Sequence, residues 1–177
     1  MDTDTVFDCD GNAVELLRPN FDGIPIELQE RCRWAVWKAT PREGNPGKFN
    51  KAPVSPTTRR MIGTNKPELW GSFAEAKAAY EAGGYTGVGL LLDGSGLIGI
   101  DIDDASAAMR TVPDLTQWIK DASKAGAYLE LSPSNKGLRL FLEGQLVEAV
   151  KGGPLEVYTD RRFMTVTGRQ PGAKRDA

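Results

Sequence analysis

The chain has 177 residues, of which 40% are apolar and 26% charged, and its formal net charge is −2. This composition is typical of a globular protein with a core of its own, and the weak negative charge argues against indiscriminate binding to nucleic acid. The sequence contains no histidine, and its two cysteines, Cys9 and Cys32, have no recognisable ligand spacing. These facts exclude a Ser-His-Asp triad and argue against a structural zinc site, so any metal ion must be held by carboxylates.

The two ends of the chain are polar. Residues 1–20 are acidic and lack hydrophobic periodicity, and residues 171–177 are polar. We therefore predict a flexible acidic tail, one domain over residues 21–170 and a polar C-terminal tail. No segment has the length and apolar character of a membrane span, and the start lacks the basic and apolar pattern of a secretory signal. We expect an intracellular protein without a membrane partner.

Between these ends, short strands alternate with helices. A capping box of Ser72 and Glu75 predicts a helix, and Pro25 and Pro113 each open a further helical segment. Residues 40–50 predict a loop because they hold two prolines and two glycines. Strands are predicted at 33–38, 51–54, 88–92, 97–103, 127–131, 138–143, 155–159 and 163–167, with 88–92 and 97–103 forming a hairpin. The pattern favours an α+β fold with helices packed on one face of a sheet.

The stretch 97–104 has two incompatible faces. Because side chains alternate along a strand, its three isoleucines share one side, whereas Asp101 and Asp103 share the other. Two neighbouring carboxylates resist burial unless a cation compensates them, and Mg²⁺ or Mn²⁺ would do so through oxygen ligands. The alternative is a strand end that turns into solvent, with Asp103 or Asp104 capping the next turn.

A metal site at this stretch needs a third acidic residue from another strand, and Glu156 is the best candidate. It lies at the centre of the strand-like run 154–158, where Leu155 and Val157 face the opposite way. A charged residue in such a run indicates an open or a functional face. The metal hypothesis therefore predicts that Glu156 lies close to the paired aspartates.

The turn at 132–137 is a candidate phosphate site. It offers the hydroxyl groups of Ser132 and Ser134, backbone amides and the ammonium group of Lys136. Arg139, just beyond the turn, adds a guanidinium group whose geometry suits phosphate oxygens. The alternative for Arg139 is a cross-strand ion pair with Glu130, and both roles are compatible.

One segment of the chain is strongly basic. Residues 31–66 contain nine lysines and arginines and a single acid, Glu43. Such a segment is suited to tracking a nucleic-acid backbone, and its alternative is a solvated loop face. Lys51 within it, and Arg162 later in the chain, are further candidates for phosphate binding or are ordinary surface charges.

In this order, the motifs resemble those of the primase-polymerase domain of the archaeo-eukaryotic primase superfamily, in the form carried by phages, plasmids and integrated elements. The resemblance covers residues 25–168. It is carried by the segments 33–37, 51–53, 70–76, 99–103, 130–134, 136–138 and 156–168.

The resemblance implies an RRM-like antiparallel or mixed sheet whose open face carries the acids. It also implies a template-directed nucleotidyltransferase that makes or extends primers by two-metal catalysis in phage or plasmid replication. Asp101, Asp103 and Glu156 would be the catalytic residues and would bind Mg²⁺ or Mn²⁺. The implied partners are a single-stranded DNA template and primer, nucleoside triphosphates (NTP or dNTP) and a replicative helicase, in the cytoplasm of a bacterial host.

The sequence departs from the family at one position. Arg139 stands where the family usually has a histidine that contacts the phosphates of the incoming nucleotide. Arginine can bind phosphate, but it cannot donate a proton near neutral pH. The alternative function is therefore a catalytically impaired module that binds nucleotides or single strands in a replication initiation complex.

Overall fold

The computed structural model of the protein describes residues 2–145, 150 and 152–172. The α+β class predicted from the sequence is confirmed. In the described residues the helices are Ile26–Gln29 (α1), Phe73–Glu81 (α2), Ala105–Thr111 (α3) and Leu115–Lys124 (α4). The strands are Thr3–Phe7 (β1), Ala13–Leu17 (β2), Trp34–Trp37 (β3), Thr40–Pro41 (β4), Phe49–Asn50 (β5), Pro53–Val54 (β6), Gly87–Asp93 (β7), Leu97–Ile102 (β8), Tyr128–Leu131 (β9), Leu138–Glu143 (β10), Leu155–Tyr158 (β11) and Asp160–Val166 (β12).

Most of these strands form two antiparallel sheets of four strands each. One, which we call the site sheet, has the order β11-β8-β10-β9, and the other, the second sheet, has the order β12-β7-β3-β6. The expectation of one sheet with a hairpin between β7 and β8 is wrong, because these consecutive strands belong to different sheets. Six consecutive residues of β7 are buried, which is the pattern of a strand covered on both faces. Gly94 and Gly96, with φ of 81° and 84°, turn the chain from one sheet into the other.

Helices cover one face of the site sheet, as predicted. Ile98, Ile100 and Ile102 of β8 pack with Leu115 and Ile119 of α4 in one apolar cluster. Burying each such side chain contributes about 1.5–3 kcal/mol, so this contact determines which way β8 faces. The acidic side chains of β8 must therefore lie on the opposite face.

That opposite face is not open over most of its length, so the expectation of an open acidic face is wrong there. Phe141 and Tyr158 of the site sheet share an apolar cluster with Leu90 and Met164 of the second sheet. Gly99 has no side chain, and a Cβ atom at this position would collide with Met164. The second sheet can therefore approach closely, and the acids lie beyond the contact, at the end of β8.

The N-terminal segment is folded, so the predicted flexible tail over residues 1–20 is wrong. Strands β1 and β2 pair as an antiparallel hairpin, and Leu16 and Leu17 are only 2% exposed. The Leu17 amide donates to the carbonyl of Pro133 at 2.8 Å. The sequence did not predict this hairpin because its apolar residues form only two short runs among polar and acidic side chains. Of the predicted C-terminal tail, residues 173–177 lie outside the described residues.

Two local features also differ from the prediction. The loop at 40–50 contains the short hairpin of β4 and β5. Helix α3 was not predicted, and it begins after Asp104, whose carboxylate accepts a hydrogen bond from the amide of Ala107 at 3.1 Å. The capping role considered for Asp104 is therefore confirmed. In the part of the chain that the structure describes, no helix has the length and apolar character needed to cross a bilayer.

Candidate active site

A row of charged side chains crosses all four strands of the site sheet. In the strand register, Glu156 is paired with Asp101, Asp101 with Arg139, and Arg139 with Glu130. Residues that are directly paired present their side chains on the same face of a sheet. The four strands therefore bring three acids and one base into a single line.

Arg139 is the internal cation of this row. Its Nε donates to Oδ1 of Asp101 at 3.2 Å, and its Nη1 donates to the carbonyl of Thr165, on the second sheet, at 2.8 Å and also to the Thr165 hydroxyl. The residue is only 6% exposed. Its bonded acid is Asp101, whereas the sequence analysis considered an ion pair with Glu130. Arg139 thus joins the two sheets and holds one of the predicted catalytic acids.

Glu156 is held by Tyr158 of its own strand, β11, and by Arg162 of the following strand, β12. The Tyr158 hydroxyl donates to Oε2 of Glu156 at 2.5 Å, and Nη2 of Arg162 lies 3.8 Å from the same oxygen. The Arg162 guanidinium also stacks over the Tyr158 ring at 4.2 Å. Burial, and the hydrogen bond to Glu156, raise the pKa of Tyr158 to about 12, so the phenol stays protonated and acts as a donor.

The three predicted metal ligands lie at one end of the site sheet, Asp101 and Glu156 within it and Asp103 just beyond the last residue of β8. Asp101 and Glu156 are directly opposite on neighbouring strands, and Asp103 follows two residues after Asp101 and is exposed. Their carboxylate oxygens suit Mg²⁺ or Mn²⁺. Among the residues described, no three acidic or cysteine side chains come close enough to hold one ion. Asp101 is turned toward Arg139, and Glu156 toward Tyr158 and Arg162. The donor set therefore fits these ions in chemical type, but in the described residues the three side chains do not converge on one point.

The turn at 132–137 lies against the end of β8. The Ser132 hydroxyl accepts from the amide of Gly137 at 3.0 Å and lies 3.1 Å from the Ser134 hydroxyl. A Cβ atom at Gly137 would lie 2.6 Å from the carbonyl oxygen of Ile102, so only glycine allows this approach. The carbonyl of Lys136 accepts from the amide of Ala105, and the Lys136 side chain is exposed. The turn thus presents its polar groups beside the acidic end of the strand.

Lys51 reaches the site from a separate segment. Its ammonium group lies 5.7 Å from the centre of the Trp37 ring. Burial and the nearby charge of Arg139 lower the pKa of Lys51 to about 8, while the charges of Asp101 and Asp103 oppose this shift. Lys51 is thus a half-buried cation, and the charges of both aspartates act on its pKa.

Among proteins of known function, the chain is similar to a DNA primase-polymerase of Nitratiruptor phage NrS-1, with 29% identity over 150 residues. The similarity supports a primase-polymerase domain. It covers 80% of this chain, and the matched part is 20% of the length of the phage protein. No family model matches the chain. The similarity agrees with the resemblance inferred from the motifs.

The described residues contain one further site-related residue to which the sequence analysis gave no role of its own. Glu130 is fully buried, and its carboxylate accepts from the amides of Thr167 and Gly168 and from the hydroxyl of Tyr128, at 2.9–3.1 Å. It ends the charged row and connects it to the segment after β12. The available signal was alternation, which places Glu130 on the same face as Tyr128 and next to Arg139.

Glu130 should make the stability of the domain depend on pH. Burial raises the pKa of Glu130 to about 7, although the amide of Gly168 and the charge of Arg139 oppose the shift. An unfolded glutamate has a pKa of about 4.3. Because the folded state binds this proton more tightly, the contribution of Glu130 is fully present below about pH 4 and is lost as the pH rises through about 7.

The test is urea unfolding of the wild type and of Glu130→Gln between pH 4.5 and pH 8. We expect the free energy of unfolding of the wild type, relative to the variant, to fall as the pH rises. A difference that is constant or grows with pH would contradict this assignment.

Proposed function

We propose that the chain is a template-directed nucleotidyltransferase that makes or extends primers, in the replication of phage or plasmid DNA in a bacterial cytoplasm. The observation that supports this most is the pairing of Asp101 with Glu156, with Asp103 just beyond the end of β8. Three carboxylates from two distant segments are costly to gather at one end of a sheet unless a cation or a substrate compensates them. A replicative helicase is a further proposed partner, on the strength of the family resemblance.

The three acids would hold Mg²⁺ or Mn²⁺. When bound, such ions neutralise the triphosphate and favour ionisation of the primer 3′-hydroxyl. The protein's own task is then to hold and orient the carboxylates. Arg139 does this for Asp101, and Tyr158 with Arg162 does it for Glu156.

The groups around the acids would position the triphosphate. Lys136 and Ser134 project from the turn at 132–137, whereas Ser132, whose hydroxyl is bonded to Gly137, shapes the turn itself. Lys51 faces the aspartates from the other segment, and Arg162 lies beside Glu156. Preorganised cations of this kind stabilise developing charge without having to move, which is the main electrostatic contribution to phosphoryl transfer.

The direct test is primer extension and de novo synthesis by the wild type, with dNTPs and NTPs and with Mg²⁺ or Mn²⁺. We expect a product whose length grows with time on a primed template. A second function has its own support, because the ion pair between Arg139 and Asp101 already neutralises one acid. A protein that binds single strands or nucleotides, but gives no product under all these conditions, would be the binding module.

Removing the charge of Lys51 should weaken the binding of the nucleotide. A charge-assisted contact to phosphate contributes about 1.5–3 kcal/mol, so Lys51→Met should raise the KM for the nucleotide at least about tenfold. Lys51→Arg should retain much of the affinity. Lys120→Met serves as the control because Lys120 is exposed on α4, on the far side of the site sheet. Equal KM values for Lys51→Met and the control would remove Lys51 from the site.

A further inference from the structure

The hairpin of β1 and β2 reaches two loops that flank the acids. At its open end, the amide of Leu17 donates to the carbonyl of Pro133, in the turn at 132–137. At its closed end, Oδ2 of Asp8 accepts from the amide of Gly47 at 2.9 Å. Each strand has five residues and spans about 16 Å, at 3.3 Å per residue. The hairpin is thus a brace between the proposed phosphate turn and residues 40–50.

Residues 40–50 form a basic arm that needs such a brace. Its two strands, β4 and β5, have two residues each, and a ladder of this length is not stable alone. Arg42 and Lys48 are exposed on the arm together with one acid, Glu43, so two positive charges and one negative give the arm a net charge of +1. The chain then runs directly to Lys51 beside the acids. The arm therefore joins an exposed cationic surface to the site.

Asp8 holds the arm without neutralising it. The residue is 7% exposed, and its carboxylate accepts from the amides of Asp10 and Asn12 on Oδ1 and from Gly47 on Oδ2. These N–H donors, the Asn12 amide foremost, hold the pKa of Asp8 below its usual value. Because its partners are backbone and amide groups, Asp8 does not form an ion pair with Arg42 or Lys48.

We propose that the basic arm binds the phosphodiester backbone of single-stranded DNA, and that Asp8 is the positioning residue that fixes the arm relative to the site. This inference rests on the proposed use of single-stranded DNA, but it does not require catalysis. A free arm would have to be ordered by the DNA itself, and that entropy cost lowers affinity. A braced arm holds Arg42 and Lys48 in a fixed position relative to the site.

The direction in which one substitution changes the affinity for DNA separates a positioning role of Asp8 from a simple effect of its charge. Asp8→Asn keeps one acceptor oxygen and replaces the other with an NH₂ group, which cannot accept a hydrogen bond. The variant therefore loses either the hydrogen bond from the Gly47 amide or those from the amides of the turn. The variant also removes a negative charge, so electrostatics alone predicts tighter DNA binding. Positioning predicts weaker binding. Asp10→Asn is the matched control, because Asp10 is exposed in the same turn and its side chain does not contact the arm.

The experiment measures the binding of an oligothymidylate by fluorescence anisotropy at several salt concentrations, without metal ion or nucleotide. We expect Asp8→Asn to weaken binding about tenfold, as for the loss of one hydrogen bond to a charged acceptor, and Asp10→Asn to leave it unchanged or slightly tighter. Hydrogen exchange of the amides at 42–48 should become faster in Asp8→Asn only.

Three results would overturn the inference. One is unchanged or tighter binding by Asp8→Asn, and another is unchanged exchange in the arm. The third concerns a variant that does not touch the brace: Arg42→Ala combined with Lys48→Ala should reduce the slope of log K against log salt by about 1.4. An unchanged slope contradicts the arm as the DNA surface. Because the binding assay contains neither metal ion nor nucleotide, a wild-type protein that gives no product can still be tested, so a failure of catalysis leaves this test intact.

Discussion

Asp101→Asn is expected to reduce primer extension by a factor of about a thousand or more. Asp101 is the central acid of the charged row, paired with Glu156 on one side and bonded to Arg139 on the other. Asparagine has nearly the same shape but carries no charge, so it neither compensates Arg139 nor attracts a cation. A metal-held charge in the transition state is worth several kcal/mol, and about 4 kcal/mol corresponds to a thousandfold change in rate.

The measurement is the initial rate of extension of a labelled primer at saturating nucleotide. Asp104→Asn is the matched control because it makes the same change three residues away. Asp104 is exposed and caps α3, and asparagine is an equally good N-cap that also tolerates its φ of 40°. We expect the control to retain the wild-type rate within a few-fold. Equal rates for Asp101→Asn and the wild type would remove Asp101 from the chemistry.

Glu130→Ala is expected to lower the free energy of unfolding by about 3–5 kcal/mol, a large part of the 5–15 kcal/mol of a typical domain. The substitution leaves the amides of Thr167 and Gly168 and the Tyr128 hydroxyl without their buried acceptor. Each unsatisfied buried donor costs about 1–3 kcal/mol.

Chemical denaturation at pH 6 measures this loss. The comparison is Glu143→Ala, on the neighbouring strand β10, where the glutamate side chain is 81% exposed and pairs weakly with Arg31 at 3.5 Å. Exposed pairs of this kind contribute about 0–1 kcal/mol. A loss at Glu130 no larger than that at Glu143 would mean that the buried network does not hold the end of the charged row.

The face of the acids could be predicted from the sequence because alternation is a local property. The isoleucines of β8 determine which way the strand faces, and Asp101 and Asp103 follow from that. Glu156 could be placed on the same side for the same reason. Its exact partner in the register could not, because pairing between distant strands depends on contacts across the whole sheet.

The hydrogen-bond partners of Arg139 could not be predicted from the sequence, for a different reason. The prediction of one sheet left the acidic face open, so Arg139 could point only to phosphate or along its own sheet. The second sheet supplies Thr165, and with it a buried position for the guanidinium group. Once Arg139 is buried there, Asp101 is the acid it can reach. A tertiary contact between sheets has no periodic signature in the sequence.

The folded N-terminal hairpin was hidden by its composition. Its acidic side chains resemble those of a disordered tail, although Leu16 and Leu17 at its end are buried against other segments. Asp8 looks like a surface acid until the amide of Gly47 is seen to donate to it. Side chains that bond to distant backbone groups cannot be recognised from sequence spacing alone.

The most direct test of the central claim is single-nucleotide addition to a primer opposite each of the four template bases, by the wild type with Mg²⁺ or Mn²⁺. The account predicts that the nucleotide added changes with the template base and that the reaction is lost in Asp101→Asn. No addition on any template, or addition of the same nucleotide whatever the template base, would contradict a template-directed nucleotidyltransferase.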